Sequence, residues 1–176
     1  MAIDPDKTFI PINIAVLTVS DTRTPDTDTS GDILAKRLED AGHTLAARAI
    51  VKDDAALLAE RIEQWIDDPA IDAIVSTGGT GLTGRDVTPE ALSRIEGGRD
   101  IPGFGELFRW LSYKSIGTST VQSRACAIVA RGTYIFALPG SNGAVKDGWD
   151  GILAEQLDSR NRPCNFVELM PRLRES

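Results

Sequence analysis

Histidine and cysteine are scarce in this chain, which contains one histidine and two cysteines among 176 residues. A zinc site built from several histidines is therefore excluded, and so are most histidine-dependent nucleophiles unless His43 takes part. Because His43 follows Gly42 at the expected start of a strand, we predict a structural role for it. Cys126 and Cys164 lie far apart in the sequence and lack the spacing of metal ligands. We expect two reduced thiols rather than a disulfide.

Long apolar runs and an excess of basic charge are absent as well. No run of 18 apolar residues occurs, and residues 1–7 contain no apolar core of a signal peptide. We therefore expect a cytoplasmic protein without a membrane segment. The formal net charge of −7 argues against a nucleic-acid partner, which would need a basic surface. A small anionic ligand would have to be held locally, by backbone N–H groups, one or two Arg or Lys side chains, or a divalent metal.

The first half of the chain alternates predicted strands and helices. Strands are predicted at 10–19, 44–51 and 71–75, separated by a helix that ends at Gly42 and a helix capped by Asp53 or Asp54. This β-α-β-α-β order predicts a parallel sheet with helices on both faces. A composition of 41% hydrophobic and 26% charged residues fits one soluble α/β domain over residues 1–176, with irregular tails at about 1–8 and 160–176.

The second half is less regular. Two β-like runs at 126–130 and 133–138 are joined by Arg131-Gly132, which indicates a hairpin and adds one antiparallel edge strand. The other segments are predicted as a loop, a helix, a short helix or turn, and a final helix, at 96–102, 103–115, 117–124 and 144–157. The expected fold is a three-layer α/β/α sandwich with a mostly parallel sheet.

A glycine-rich loop follows the strand at 71–75. Four glycines occur within seven residues, at positions 78, 79, 81 and 84. Thr88-Pro89 then has the pattern of a helix cap followed by the first helical residue. Because bare backbone N–H groups at the end of a parallel strand can approach a phosphate, this order of strand, loop and helix predicts an anion site.

Two known phosphate-binding patterns overlap this loop, and neither fits. Gly79-x-Gly81-x-x-Gly84 matches the dinucleotide fingerprint, but the helix starts too late and no acidic residue ends a following strand at the required distance. Gly79 and Gly84 also have P-loop spacing, but Arg85-Asp86 stands where Lys-Ser/Thr is required. The loop is therefore a phosphate loop of another kind, followed by one cation and one carboxylate.

The candidate site consists of the loops that follow the predicted strands, because ligands bind beyond the carboxyl ends of strands in such a sheet. These loops contain backbone amides, hydroxyls, carboxylates and Arg85, at 20–21, 29–31, 53–54, 77–86 and 139–143. Such groups suit a polyphosphate with Mg²⁺ held through carboxylate oxygens or water. The chemistry that they indicate is phosphoryl or nucleotidyl transfer by positioning and charge stabilisation.

Several separated motifs, taken together, resemble a known family. They are TGGTGLTGRDVTPEAL at 77–92, LTVSD at 17–21, DTSG at 28–31, PGFGELFR at 102–109, GTSTVQSRA at 117–125 and FALPGS at 136–141. In this order they resemble the MoaB/MogA family of molybdopterin-binding proteins, and its MoaB branch most closely. The resemblance covers the chain from about residue 9 to about residue 166. It implies the fold of that family and assembly as a trimer or hexamer.

The resemblance also implies an activity, the magnesium-dependent transfer of AMP from ATP to the terminal phosphate of molybdopterin, with release of pyrophosphate. The alternative is a non-catalytic molybdopterin-binding or assembly protein of the same pathway, which would work with other molybdenum-cofactor proteins. Leu82-Thr83-Gly84 differs from the triplet that adenylyltransferases often carry, and some MoaB-branch proteins have little of this activity. An NAD-dependent oxidoreductase and the related domain of competence-damage proteins are further alternatives.

Carried over by position, the resemblance assigns roles to individual residues. Asp53 and Asp86 are the expected catalytic carboxylates and Mg²⁺ ligands. The expected phosphate loop consists of Thr77, Gly78, Gly79, Thr80 and Gly81. The remaining nucleotide- or pterin-binding positions are Ser20, Asp21, Ser30, Gly31, Arg85, Pro139, Gly140 and Ser141. Phe104, Phe108 and Trp110 cannot all face one core from a single helix, so we expect a subunit interface there.

Overall fold

The computed structural model describes residues 3–175 and contains one six-stranded sheet with the strand order β2-β1-β3-β6-β5-β4. The strands are β1 Asn13–Val19, β2 Thr44–Val51, β3 Ala73–Thr77, β4 Arg99–Asp100, β5 Cys126–Ala130 and β6 Thr133–Leu138. Strands β2, β1, β3 and β6 are parallel, while β5 is antiparallel to β6 and to β4. The carboxyl ends of four neighbouring strands therefore lie along one edge of the sheet.

Helices cover both faces of this sheet. The α-helices are α1 Thr29–Asp40, α2 Ala55–Ile66, α3 Thr88–Leu92, α4 Pro102–Ile116, α5 Asn142–Gly148, α6 Ala154–Gln156 and α7 Phe166–Leu169. A π-helical turn at Trp149–Leu153 joins α5 to α6, and 3₁₀ turns occur at Pro25–Thr27, Gly117–Gln122 and Met170–Arg172.

The alternation of side chains along β1 divides the core into two layers. Ile14 and Val16 point into a cluster with the buried residues of α1, α4 and α5, while Leu17 points into a cluster with those of α2 and α3. Because successive strand residues face opposite sides, a continuous apolar strand must be covered on both faces. The predicted three-layer α/β/α fold with a mostly parallel sheet is confirmed.

Two predictions about the periphery of the fold are wrong. The segment 96–102 contains the short strand β4, which pairs with Ile128 and Val129, so β5 is not the edge strand. Two residues are too few to show an alternating pattern, and only the neighbouring strand reveals the pairing. The tail after residue 160 is not wholly irregular, since α7 forms there and the Phe166 ring packs 4.8 Å from the ring of Tyr134.

Local hydrogen bonding selects one of the two predicted caps at one helix start and differs from prediction at another. Asp54, and not Asp53, caps α2, because its carboxylate accepts from the backbone N–H groups of Ala56 and Leu57 at 2.8 and 3.0 Å. Thr88 is the first residue of α3 rather than its cap. Its hydroxyl instead donates to the carbonyl of Gly78 at 2.8 Å, which ties the glycine loop to the helix.

The aromatic residues of α4 do not form one surface. Phe104 and Phe108 are buried in the core, whereas Trp110 is 61% exposed. Positions four residues apart, such as Phe104 and Phe108, lie on nearly the same face of a helix, whereas Trp110, two residues further on, lies on another face. The predicted interface therefore cannot include the two phenylalanines. Trp65 and Trp149, the other two tryptophans, are buried.

The single histidine and the two cysteines can now be placed in the fold. His43 is buried between the rings of Phe9 and Trp149, and its Nδ1 accepts from the backbone N–H of Ile12 at 3.3 Å. Cys126 and Cys164 are both free, and burial raises the pKa of the Cys126 thiol to about 11. Among residues 3–175, the structure has no helix that is long and apolar enough to cross a membrane.

Candidate functional site

The loops at the carboxyl ends of β2, β1, β3 and β6 meet along one edge of the sheet. The backbone N–H of Ser20 donates to the carbonyl of Val51 at 2.9 Å, which joins the ends of β1 and β2. In the same way, the N–H of Gly78 donates to the carbonyl of Leu138 at 2.9 Å and joins the ends of β3 and β6. The loops that were grouped from the sequence are therefore neighbours.

The glycine loop leaves β3 in a conformation that side chains would obstruct. Gly78 and Gly79 have φ values of 106° and 66°, in the left-handed region that favours glycine. A Cβ atom at Gly78 would overlap the carbonyl oxygen of Val19, and one at Gly79 would lie 2.5 Å from the Thr88 hydroxyl. The loop therefore passes directly over the end of β1, where the neighbouring strand loop begins.

Arg124 holds the outer half of this loop. Its guanidinium donates to the carbonyls of Gly81 and Asp86 at 2.7 and 2.6 Å and forms an ion pair with Glu90. Its backbone N–H donates to the carbonyl of Thr80 at 2.8 Å. One arginine therefore binds both ends of the segment 81–86. Arg124 lies within the motif GTSTVQSRA at 117–125, but sequence reasoning gave it no role.

The Asp86 carboxylate is held within its own loop. Its Oδ2 accepts from the backbone N–H and the hydroxyl of Thr83 at 2.9 and 2.7 Å. Burial disfavours its charged form, but the hydrogen bonds from Thr83 and Gly81 outweigh burial and lower the pKa of Asp86. Asp86 is therefore ionised at neutral pH.

Asp53 and Asp21 are joined by reciprocal hydrogen bonds. The N–H of Asp21 donates to the Asp53 carboxylate at 3.0 Å, and the N–H of Asp53 donates to the Asp21 carboxylate at 3.3 Å. Asp21 also forms an ion pair with Arg85. Burial and the negative charge of Asp86 both raise the pKa of Asp53. The charge of Asp86 is therefore one of the two causes that disfavour ionisation of Asp53.

This pair fits magnesium only as a partial ligand set. Among residues 3–175, no group of three or more His, Cys, Asp or Glu side chains is arranged to hold a metal ion. Mg²⁺, however, often takes one or two carboxylates and completes its octahedron with water and substrate phosphates. Asp53 and Asp86 could hold the ion in that way, together with a polyphosphate.

One cavity beside the carboxylates contains basic side chains. This β1–β2 cavity has a volume of about 620 Å³ and is lined by Ser20, Asp21, Arg23, Arg48 and Lys52, among others. Arg48 is engaged by Asp28 and Asp32 at 2.8 and 2.7 Å. Arg23 donates to the carbonyl of Thr27 at 2.7 Å. Because two carboxylates engage Arg48, Arg23 and Lys52 are the lining cations that the cavity offers to an anionic ligand.

A second cavity lies beyond the ends of β3 and β6 and has a different lining. This β3–β6 cavity has a volume of about 340 Å³, and its walls include Phe108, Ile116 and Ala144. Hydroxyl groups from the glycine loop, α4, the 3₁₀ turn and the loop after β6 also line it. The volume falls within the usual range of small-molecule sites.

The residues assigned from the sequence occupy three kinds of position. Ser20 and Asp21 line the β1–β2 cavity, and Arg85 lies beside it through its ion pair with Asp21. The β3–β6 cavity is lined by Thr80, Gly81, Pro139 and Ser141. The positions that line neither cavity are Ser30, Gly31, Asp53, Thr77, Gly78, Gly79, Asp86 and Gly140.

Sequence reasoning missed Asp28, Ser112 and Asp147. Asp28 is fully buried, accepts from the Thr18 hydroxyl at 2.8 Å and caps α1 through the N–H of Gly31. An acid before Thr-Ser-Gly is a recognisable cap signal and could have identified it. Ser112 and Asp147 line the β3–β6 cavity from two separate helices, and no local pattern could have joined them.

Comparison with known proteins gives a consistent result. Residues 15–159 match the family described as "Probable molybdopterin binding domain". The chain is 49% identical to molybdenum cofactor biosynthesis protein B of Escherichia coli (strain K12) over 158 residues, which cover 90% of this chain and 92% of that protein. It is 44% identical to the protein of that name from Bacillus subtilis (strain 168), with 83% and 86% covered.

The solved structures agree. A crystal structure of a molybdenum cofactor biosynthesis protein B superimposes with a TM-score of 0.86 at 34% identity, covering 97% of this chain and all of that one. The strand-end loops, the glycine loop and the two cavities described above thus occur in a fold shared with proteins of that name. This chain belongs to the molybdopterin-binding family of molybdenum cofactor biosynthesis proteins.

Proposed function

We propose that the protein adenylylates molybdopterin, using Mg-ATP and releasing pyrophosphate. The observation that carries this proposal is the position of Asp53 and Asp86 relative to the two cavities. The Asp53 carboxylate accepts a hydrogen bond from the backbone N–H of Asp21, which lines the basic β1–β2 cavity. Asp86 packs against Gly81, which lines the β3–β6 cavity without a basic side chain among its described lining residues, and a Cβ at Gly81 would lie 2.7 Å from its Oδ2. Two substrates of different charge could therefore meet at the two carboxylates.

In this reaction an oxygen of the terminal phosphate of molybdopterin attacks the α-phosphorus of ATP. The bond to the β-phosphate oxygen breaks, and pyrophosphate leaves with that electron pair. Asp53 and Asp86 would hold the magnesium ion, which neutralises charge on the transferring phosphate when bound. Arg23 and Lys52 of the β1–β2 cavity would attract the triphosphate, and the backbone N–H groups of the glycine loop would orient it.

A second candidate is molybdopterin binding without turnover. It is favoured by the engagement of Asp86 with Thr83, since a carboxylate that organises its own loop has a structural use as well. The ion pair between Asp21 and Arg85 likewise satisfies groups that a nucleotide could otherwise use. Under this candidate the protein would present or store the pterin for another protein of the same pathway.

Pyrophosphate release from Mg-ATP, with and without molybdopterin, separates the two candidates. We expect pyrophosphate release to require molybdopterin. Its rate should fall by at least about 100-fold in Asp53→Asn and in Asp86→Asn, since each change removes a metal-binding charge. Asp54→Asn is the matched control, because asparagine also caps helices well and Asp54 caps α2. Tight molybdopterin binding without any release would establish the second candidate.

We also propose that the protein self-associates as a trimer or hexamer in the cytoplasm. Several large apolar side chains of α4 and the following 3₁₀ turn face solvent, namely Leu107, Trp110, Tyr113, Ile116 and Val121. Trp110 is 61% exposed and Val121 is 79% exposed. Several large apolar side chains exposed along one segment are typical of a protein interface.

A further inference from the structure

The β3–β6 cavity has an unusual balance of polar groups. Asp147 supplies the one charged side chain among the lining residues in the part of the chain that the structure describes. The other polar lining groups are hydroxyls and the Gln122 amide, set against apolar walls. The hydroxyl of Ser115 donates to Oδ2 of Asp147 at 3.2 Å, which orients the carboxylate. Such a cavity suits a neutral, flat ligand that carries N–H donors.

Two buried hydroxyls in this cavity point independently to a ligand. Thr80 and Ser112 are 2% and 3% exposed, and both line the cavity. Within residues 3–175, neither Thr80 Oγ1 nor Ser112 Oγ has a hydrogen-bond partner. Because an unpaired buried hydroxyl costs free energy, such groups are rare unless a bound molecule satisfies them.

The charge of the lining argues against a phosphate in this cavity. No Arg or Lys is among the described residues that line it, and the Asp147 carboxylate would repel an anion. Lys114, the residue before Ser115, instead has its ammonium 4.2 Å from the ring centre of Trp110. The cationic side chains line the β1–β2 cavity. We therefore expect the two ends of a bound pterin phosphate to occupy different places. The heterocycle would lie near Asp147, and the phosphate would lie near Asp53 and Asp86.

We propose that Asp147 recognises the aminopyrimidinone edge of the pterin, and that Thr80 and Ser112 hydrogen-bond to its remaining ring heteroatoms. A carboxylate has two acceptor oxygens, and this edge presents two adjacent donors, the ring N3–H and the 2-amino group. Hydrogen bonds to an ionised acceptor are stronger than neutral ones. Asp147 is then a specificity-determining residue. The inference rests on the pterin-binding half of the proposed function and does not require adenylyl transfer.

A pair of fluorescent probes tests this assignment without ATP. 6-Hydroxymethylpterin presents the 2-amino group, whereas 6-hydroxymethyllumazine has a carbonyl oxygen there, which would face the carboxylate. The wild-type protein should bind the pterin about 10- to 100-fold more tightly than the lumazine. In the lumazine, repulsion between the carbonyl oxygen and the carboxylate replaces a hydrogen bond to a charged group. In Asp147→Asn, the amide can donate to that carbonyl, so the preference should shrink to less than about 3-fold.

The matched control is Asp150→Asn, which removes the same charge one turn away, at a position that does not line this cavity. It should keep the wild-type preference. Equal affinities of the wild-type protein for both probes, failure to bind the pterin, or an unchanged preference in Asp147→Asn would each overturn the assignment. Pyrophosphate release by the wild-type protein would be unaffected by that outcome, so the two proposals fail separately.

Ser112→Ala separates a ligand-binding hydroxyl from a structural one. Because Ser112 Oγ has no partner among the described residues, its removal should leave the thermal midpoint unchanged or raise it. The same change should weaken binding of 6-hydroxymethylpterin about 3- to 10-fold, as for one neutral hydrogen bond. A lower midpoint with unchanged pterin affinity would show that the hydroxyl serves the fold and would overturn its assignment.

Discussion

Asp21 and Asp53 exchange hydrogen bonds at 3.0 and 3.3 Å, each backbone N–H donating to the carboxylate of the other residue. This exchange joins the loop after β1 to the loop after β2 and fixes the Asp53 carboxylate beside Asp21. It became possible because Asp54, rather than Asp53, caps α2. A carboxylate that caps a helix is occupied by backbone donors, whereas Asp53 remains available to a metal or substrate.

The pKa of Asp53 should depend on Asp86. Because the negative charge of Asp86 contributes to the raised pKa of Asp53, the change Asp86→Asn should lower the pKa of Asp53. The shift should be a few tenths of a pH unit to about one unit, as for two carboxylates partly screened by solvent. Carboxyl carbon resonances followed by NMR through a pH titration would measure it. An unchanged Asp53 pKa in Asp86→Asn, beside an Asp40→Asn control, would mean that the two groups do not face each other.

Arg124 should control the order of the glycine loop. Replacement by Met removes the donors to the carbonyls of Gly81 and Asp86, so hydrogen exchange should accelerate within residues 81–86. The free energy of unfolding should fall by about 2 kcal/mol, as for hydrogen bonds from a charged group. Arg94→Met, which removes a guanidinium just after α3, is the control. Hydrogen–deuterium exchange with mass spectrometry would measure both variants, and equal exchange in the two would contradict the role given to Arg124.

His43 should make stability depend on pH below neutrality. Burial lowers its pKa from the ordinary value of 6.5, so the unfolded chain binds a proton more readily than the folded one. The contribution of neutral His43 to the free energy of unfolding is complete above pH 6.5 and is lost as the pH falls below that value. Each unit by which burial lowers the pKa corresponds to about 1.4 kcal/mol of this free energy.

Denaturant unfolding between pH 7.5 and 5 would measure this dependence. His43→Gln keeps an acceptor for the N–H of Ile12 and cannot take up a proton, so its stability should be nearly flat across the interval. The buried carboxylate Asp28 does not interfere, because its pKa is lowered from 3.8 and its contribution is lost only at more acidic pH. A slope that persists in His43→Gln would assign the effect to another group.

Self-association should depend on the exposed face of α4 and the following turn. The double change Trp110→Glu and Val121→Glu places two charges on this face and should shift the mass seen by light scattering toward the monomer. Leu57→Glu is the control, because Leu57 is also exposed, at 47%, but lies on α2 across the sheet. An unchanged mass in the double variant, or an equal loss in the control, would place the interface elsewhere.

The positions of most secondary elements follow from local patterns in the sequence. β2 has the predicted bounds of Thr44–Val51. The Arg131-Gly132 turn joins β5 to β6 with φ values of 50° and 97°, as a tight hairpin requires. Apolar alternation, helical spacing and turn residues act between neighbours in the chain, so one segment at a time carries enough information to recognise them.

Local patterns in the sequence are sufficient to predict the fold class, the glycine loop and the grouping of strand-end loops, because parallel strands bring their carboxyl ends to one edge. The packing of distant segments was needed to distinguish Asp53 from Asp54 as the helix cap and to reveal the pairing of β4 with β5. It also brought Ser112 and Asp147 into one cavity from helices that are far apart in the chain. The reason is that helix and strand periods arise from local geometry, whereas the hydrogen-bond partner of a side chain and the cavity it lines depend on how distant segments pack.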